Sequence, residues 1–152
     1  HAGSEAVGML GLCGLAGATA ASGIGKYIPR FGIERFCLVG NILQFAAWIV
    51  AYLFSDSYAG LVMAIILVDV GAQCYQLSNQ SGCLALIPEA TNRSNTIFMS
   101  HLFAGGSLGT LCAGVAWNYG GWTAVCLVGL AFTLMLSVVN VLFHKAQARR
   151  EQ

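Results

Sequence analysis

Charge is the scarcest feature of this sequence: only 9% of its 152 residues are Asp, Glu, Lys or Arg, against about 25% in an ordinary soluble domain. That excludes a water-facing surface over most of the chain. With 57% apolar residues, what is left is an all-α integral membrane protein. The seven basic residues form no block dense enough for a nucleic-acid partner. The six cysteines, Cys13, Cys37, Cys74, Cys83, Cys112 and Cys126, include no CxxC pair and no His/Cys cluster at metal-ligand spacing. They read as small apolar residues in the core or against lipid, and no metal or cofactor is expected. No Ser/His/Asp or Cys/His arrangement, phosphate loop or carboxylate pair can be assembled, so an enzyme has no nucleophile or acid/base pair to stand on. The chain begins at His1, and HAGSEA lacks the basic region of a signal peptide. The natural N-terminus is therefore expected upstream.

What is present is a series of apolar segments, predicted as five membrane spans at about 6–24, 36–54, 59–87, 96–117 and 122–143, with 144–152 as a charged tail. In the first, Gly8, Gly11, Gly14 and Gly17 allow close helix approach. Residues 25–35, GKYIPRFGIER, read as a short basic loop broken by Pro29 and Gly32. Ser55-Asp56-Ser57 is a minimal turn, and 88–95 a polar loop in which Ser94 or Asn95 caps the next helix. The fourth span carries Gly105, Gly109 and Ala113 at intervals of four, a GxxxG-type packing face. Asn118 to Gly121 make the last turn.

The third span, inside YAGLVMAIILVDVGAQCYQLSNQSGCLALIP, holds the most costly residue in the chain. At about 1.5 Å per residue, Asp69 falls on the order of 15 Å beyond Ala59, near the middle of a ~30 Å hydrocarbon layer. A carboxylate there costs ~2.5–3.5 kcal/mol on insertion scales. Helical spacing continues from it through Gln73, Gln76 and Gln80, with Asn79 beside them. Lipid cannot hydrogen-bond such a stripe, so it is predicted to face protein or a water-filled cavity. Two readings stand for each member. Asp69 is a substrate or proton site, or a structural acid paired to His101 or an Asn. The amides are substrate contacts or interhelical hydrogen-bonding glue. His101 is a proton relay or a hydrogen-bonded residue near a helix end.

All seven basic residues lie in the first loop (Lys26, Arg30, Arg35), the third (Arg93) and the tail (Lys145, Arg149, Arg150). The positive-inside rule then puts those regions and the C-terminus in the cytoplasm. Trp48, Trp117 and Trp122 are all expected near the outer interface.

Over nearly its whole length the chain resembles the C-terminal half of a major facilitator superfamily transporter, in the bacterial proton-coupled, drug-efflux-like group. The resemblance rests on the basic loop and on PEATNRSNTIFMSHLFAGGSLG, residues 88–109. The family signature G-x-x-x-D-R-x-G-x-R is matched at Gly25, Arg30, Gly32 and Arg35, with Pro29 in the usual Asp position. The resemblance implies that the spans correspond to helices eight to twelve of two six-helix halves. It also implies that the loop takes part in conformational locking, which the missing acid weakens. It implies a plasma-membrane protein, in bacteria the inner membrane, that moves a small organic solute, with protons as coupling ion and an N-terminal half as partner. The alternative is a non-transporting membrane assembly or accessory module.

Overall fold

A backbone of this apolarity can satisfy its N–H and C=O groups only within helices, and helix is what it forms. The computed structural model describes residues 3–12 and 14–150, and no strand occurs among them. In chain order, α1 is Ser4–Leu12, α2 is Gly14–Phe31, α3 is Ile33–Leu53 and α4 is Tyr58–Leu86. A 3-10 turn, Pro88–Ala90, leads into α5, Thr91–Arg150. Three helical stretches are long and apolar enough to cross a membrane: Ile33–Leu53, Tyr58–Leu86 and Pro88–Arg150. The last is broken at Gly120 and Gly121 into two arms, 91–119 and 122–150, on which the predicted fourth and fifth spans fall. Gly121 sits at φ 59°, ψ −146°, a conformation that only glycine adopts without strain. The predicted first span falls on α1 and α2, and Cys13 lies outside the described residues.

Three boundaries differ from the sequence reading. The basic segment 25–35 is not a loop: α2 runs through Pro29 to Phe31, and α3 starts at Ile33. Gly25 and Arg30 are therefore helical, Arg35 lies in the first turn of α3, and the turn is Gly32 alone, at φ 89°. Proline removes one backbone donor, but here it stands in the last turn of α2. Ile24 and Ile28, just before it, are buried against Cys74 with Phe36 and Leu77 around them, so packing carries the helix past it. The second difference is that α5 begins at Thr91, whose hydroxyl donates to Pro88 O at 2.9 Å. Ser94 and Asn95 are thus inside the helix rather than caps. Third, residues 144–150 of the tail prolong α5.

The closest contact is between α3 and α4. Buried Cys37, Gly40, Asn41, Ala47 and Ala51 on α3 face Ala64, Gly71, Cys74 and Ser78 on α4. A Cβ at Gly40 would lie 2.8 Å from Gly71 O, and one at Gly71 3.0 Å from Gly40 O, so both positions require glycine for backbone-to-backbone approach. The Ser78 hydroxyl turns back to Cys74 O at 2.6 Å, which leaves nothing polar unpaired on that side chain.

The second arm of α5 docks beside this pair. Its fully buried Cys126 packs with Ala51 and Ala64, and Trp122 Nε1 donates to Ala51 O at 2.9 Å. Large apolar side chains point outward all round, among them Leu38 and Ile42 on α3 and Phe103, Leu111, Leu127 and Leu134 on α5. Such a surface would associate in water. In a bilayer it suits lipid or further membrane helices.

Candidate functional site

Helix α4 positions the site by packing against α3 most closely, and against α2 and α5. Its N-terminus is fixed by Ser57, whose Oγ accepts from Gly60 N at 3.4 Å, and by Gly60 packing on Phe54. From Tyr58 to Asp69 the helix descends about 16 Å. Beside that length lies a cavity of about 780 Å³, lined by Trp48 and Ala51 of α3, Ser55 and Asp56 of the turn, Leu61, Ile65, Val68 and Asp69 of α4, and Trp117, Trp122 and Thr123 of α5. Asp56 of the α3–α4 turn and Asp69 of α4 are the two carboxylates of its wall.

Asp69 is half-buried, and among the described residues no hydrogen bond or ion pair engages its carboxylate. The alternative reading, a structural pairing with His101, has no hydrogen bond or ion pair behind it among the described residues. His101 is exposed on the first arm of α5, its Nδ1 2.8 Å from Ile97 O within its own helix. On the other flank α2 closes against the acid: a Cβ at Gly17 would lie 3.1 Å from Asp69 Cβ and 3.8 Å from Gln73 Cγ. Gly17 thus lets α2 approach the stripe.

The rest of the stripe divides by function. Gln80 Nε2 donates to Asn95 Oδ1 at 2.8 Å, tying α4 to α5, which is the packing role. Asn79 Nδ2 donates to Tyr75 O at 2.9 Å within α4. Gln76 and Asn79 line a separate groove with Gln44, Tyr75, Phe98 and Leu102. Asp69 and Gln73 are therefore on one side of α4, and Gln76 and Asn79 open elsewhere. His101 lines a further cavity with Gly105, Gly109 and Ala113, between the two arms of α5. Within the described residues, neither Gly105 nor Gly109 has an atom within 4 Å of where a Cβ would stand.

Sequence reasoning missed several participants. The tryptophans were read only as interface anchors and Asp56 only as a turn residue. Yet their shared level in the membrane was the signal that they could meet. Gly40 and Gly71 were missed as the packing glycines, although Gly40, Gln44, Ala47 and Ala51 keep helical spacing. At the opposite end of the bundle, His144 Nδ1 lies 3.1 Å from Glu34 Oε1. The contact is electrostatic rather than a directed hydrogen bond, since neither ring nitrogen finds a hydrogen-bond partner.

With this geometry in view, comparison with known proteins gives two relatives of use. The chain is 32% identical over 114 residues to the "Uncharacterized transporter YgaY" of Escherichia coli O157:H7, covering 72% of this chain and 28% of that protein. It is 30% identical over 132 residues to the "Probable transporter SCO4007" of Streptomyces coelicolor, covering 87% of this chain and 30% of that one. Its relatives are transporters by name. The chain spans under a third of the length of these curated relatives. No family model matches it, and no solved structure does. The transporter names of the relatives and the apolar helices point to a membrane protein.

Proposed function

We propose that the chain is part of a secondary transporter of the major facilitator type, moving a small organic solute by proton-coupled alternating access. In this reading α1 with α2, α3, α4 and the two arms of α5 are five spans of one six-helix half, and the other half is its partner across the solute path. The single observation that carries it is the Asp69 carboxylate, unengaged among the described residues and facing a cavity beside an apolar helix, because an intramembrane acid of that kind marks a substrate or ion path. The names of the relatives agree with it.

In the same reading, the ends bearing Gly32, Arg93 and Lys145 face the cytoplasm, and the ends bearing Asp56 and Asn118 face outward, since all seven basic residues fall on the first set. The protein then sits in the bacterial inner membrane with a cytoplasmic C-terminus. Gly25, Arg30, Gly32 and Arg35 act where α2 meets α3, and the contact between Glu34 and His144 brings the charged end of α5 to the same place.

The test is solute flux by the full-length protein in proteoliposomes under an imposed pH gradient, with Asp69→Asn at matched reconstitution. The substitution keeps size and removes the charge, so flux is expected to fall at least about tenfold while expression and elution profile stay unchanged. Wild-type flux with wild-type pH dependence in Asp69→Asn would remove the acid from the mechanism.

A further inference from the structure

A second cavity, of about 420 Å³, shares no residue with the one at Asp69. It lies between α3 and the second arm of α5, which run antiparallel: Glu34 stands against His144 near one end, and Ala51 against Trp122 near the other. Its walls are one face of each helix, from Glu34 to Phe45 on α3 and from Ser137 to Lys145 on α5. At 1.5 Å per residue the α3 wall is about 16 Å long, close to half of a ~30 Å hydrocarbon layer. Leu38, Ile42 and Val141 on these walls are 60%, 58% and 53% exposed. The space is therefore a groove open to the bilayer, one leaflet deep, with its charged groups all at the end beside the tail.

That end offers partners for both signs of charge. Lys145 supplies an ammonium and His144 a ring whose nitrogens find no hydrogen-bond partner. The N-cap of α3, Gly32, has no side-chain bond to give, so first-turn backbone N–H groups beside Glu34 are left for an anion. Glu34 is the acceptor in the same place: His144 Nδ1 lies 3.1 Å from its Oε1, and the side chain is 74% exposed. Among the described residues no contact engages its Oε2. One to two turns deeper stand the amides of Asn140 and Asn41. Asn41 is 7% exposed, and its Oδ1 has no hydrogen-bond partner. Amide oxygen and nitrogen exchange places by a half-turn of the side chain, so this buried group serves a ligand carbonyl as a donor.

We infer that the groove binds one amino-phospholipid of the surrounding leaflet. Its phosphate sits at Lys145, His144 and the start of α3, its primary ammonium at Glu34, and its ester carbonyls at Asn140 and Asn41. One acyl chain then runs along Leu38, Ile42 and Phe45. Charge complementarity selects this occupant. An anionic lipid brings no cation to Glu34, and a choline headgroup brings a cation without an N–H to donate. A further helix fits less well, because the wall carries bulky side chains rather than the small ones that let helices approach, and because it ends in a charged cluster at the level of lipid headgroups. The inference is independent of the role of Asp69 and requires only that the bundle crosses a bilayer.

Native mass spectrometry of the full-length protein tests it, with phosphatidylethanolamine, phosphatidylcholine and phosphatidylglycerol of identical acyl chains supplied in equal amounts. Phosphatidylethanolamine is expected to be retained at least about fivefold over either competitor. Glu34→Gln should bring it down to the level of phosphatidylcholine and leave phosphatidylglycerol no weaker. Lys145→Gln should weaken all three lipids several-fold, because the phosphate is common to them. Leu38→Trp, at an exposed position on the wall, should displace lipid whatever its headgroup, with an unchanged unfolding midpoint in micelles showing that the fold is intact. Equal retention of the three lipids, or a preference for phosphatidylethanolamine that survives Glu34→Gln, overturns the inference. So does a Leu38→Cys variant that retains no lipid and is closed to a membrane-permeant maleimide, which would mean that protein fills the groove.

Discussion

The contact between α3 and α4 and the space between α4 and the arms of α5 are built from similar residues and end up opposite in character. Both are rich in glycine and alanine at helical spacing. In the first, Gly40 and Gly71 bring two backbones together and leave no room for a methyl group. In the second, Gly105 and Gly109 front a cavity of about 590 Å³ and touch nothing. Small residues permit close approach without compelling it. What decides is the facing helix: α3 offers α4 a matching row of Cys37, Gly40, Ala47 and Ala51, whereas the wall opposite Gly105 and Gly109 includes the bulky Trp48 and Phe132.

The largest way to break that contrast is to fill both sets. Gly40→Val puts a branched side chain where a single Cβ already meets Gly71 O at 2.8 Å. Overpacking of this kind costs about 1–3 kcal/mol and sometimes more, and backbone on both sides of the clash places it at the upper end. Gly109→Val should stay within about 1 kcal/mol of wild type, and Gly109→Ala should gain up to about 1 kcal/mol from helix propensity. Unfolding of the purified proteins in mixed micelles measures all three. Equal losses at Gly40 and Gly109 would mean that the stripe on α5 is packed as tightly as the seam.

A smaller effect tests how the open region is held. Trp122→Phe removes the donor to Ala51 O that pins the second arm of α5 beside α3, and about 1 kcal/mol of stability should go with it. The accepting carbonyl lies in the last turn of α3, where no backbone donor reaches it among the described residues, so the loss should be no smaller than that of an ordinary hydrogen bond. Trp117→Phe, at an exposed ring, is the control and should leave the unfolding midpoint unchanged.

The same contrast explains how far the sequence could be read. The apolar run and polar stripe of α4 were legible because both are properties of one helix, fixed by composition and a 3.6-residue period. The helical path through Pro29 was not legible, because it depends on Ile24 and Ile28 finding Cys74 on another helix. The choice between Gly40 and Gly105 as a contact depends in the same way on the facing surface. The meeting of the tryptophans with Asp69 depends on the break at Gly121, which sets where the second arm of α5 returns.

The smallest expected effect sharpens the division within the stripe itself. Gln80 bonds Asn95 across the α4–α5 contact at 2.8 Å, while Gln76, one turn earlier, faces the groove with Gln44 and Phe98. Hydrogen bonds between membrane helices average about 0.6 kcal/mol and reach about 1.7, so Gln80→Ala should lower stability by an amount in that range. The pair is separated from its surroundings by a double-mutant cycle with Asn95→Ala, in which the coupling energy should match the loss in the single variant. Gln76→Ala should couple to neither residue. A coupling of zero between Gln80 and Asn95 would show that the first arm of α5 is held by apolar packing alone, and it would return Gln80 to the set of polar groups available to a solute.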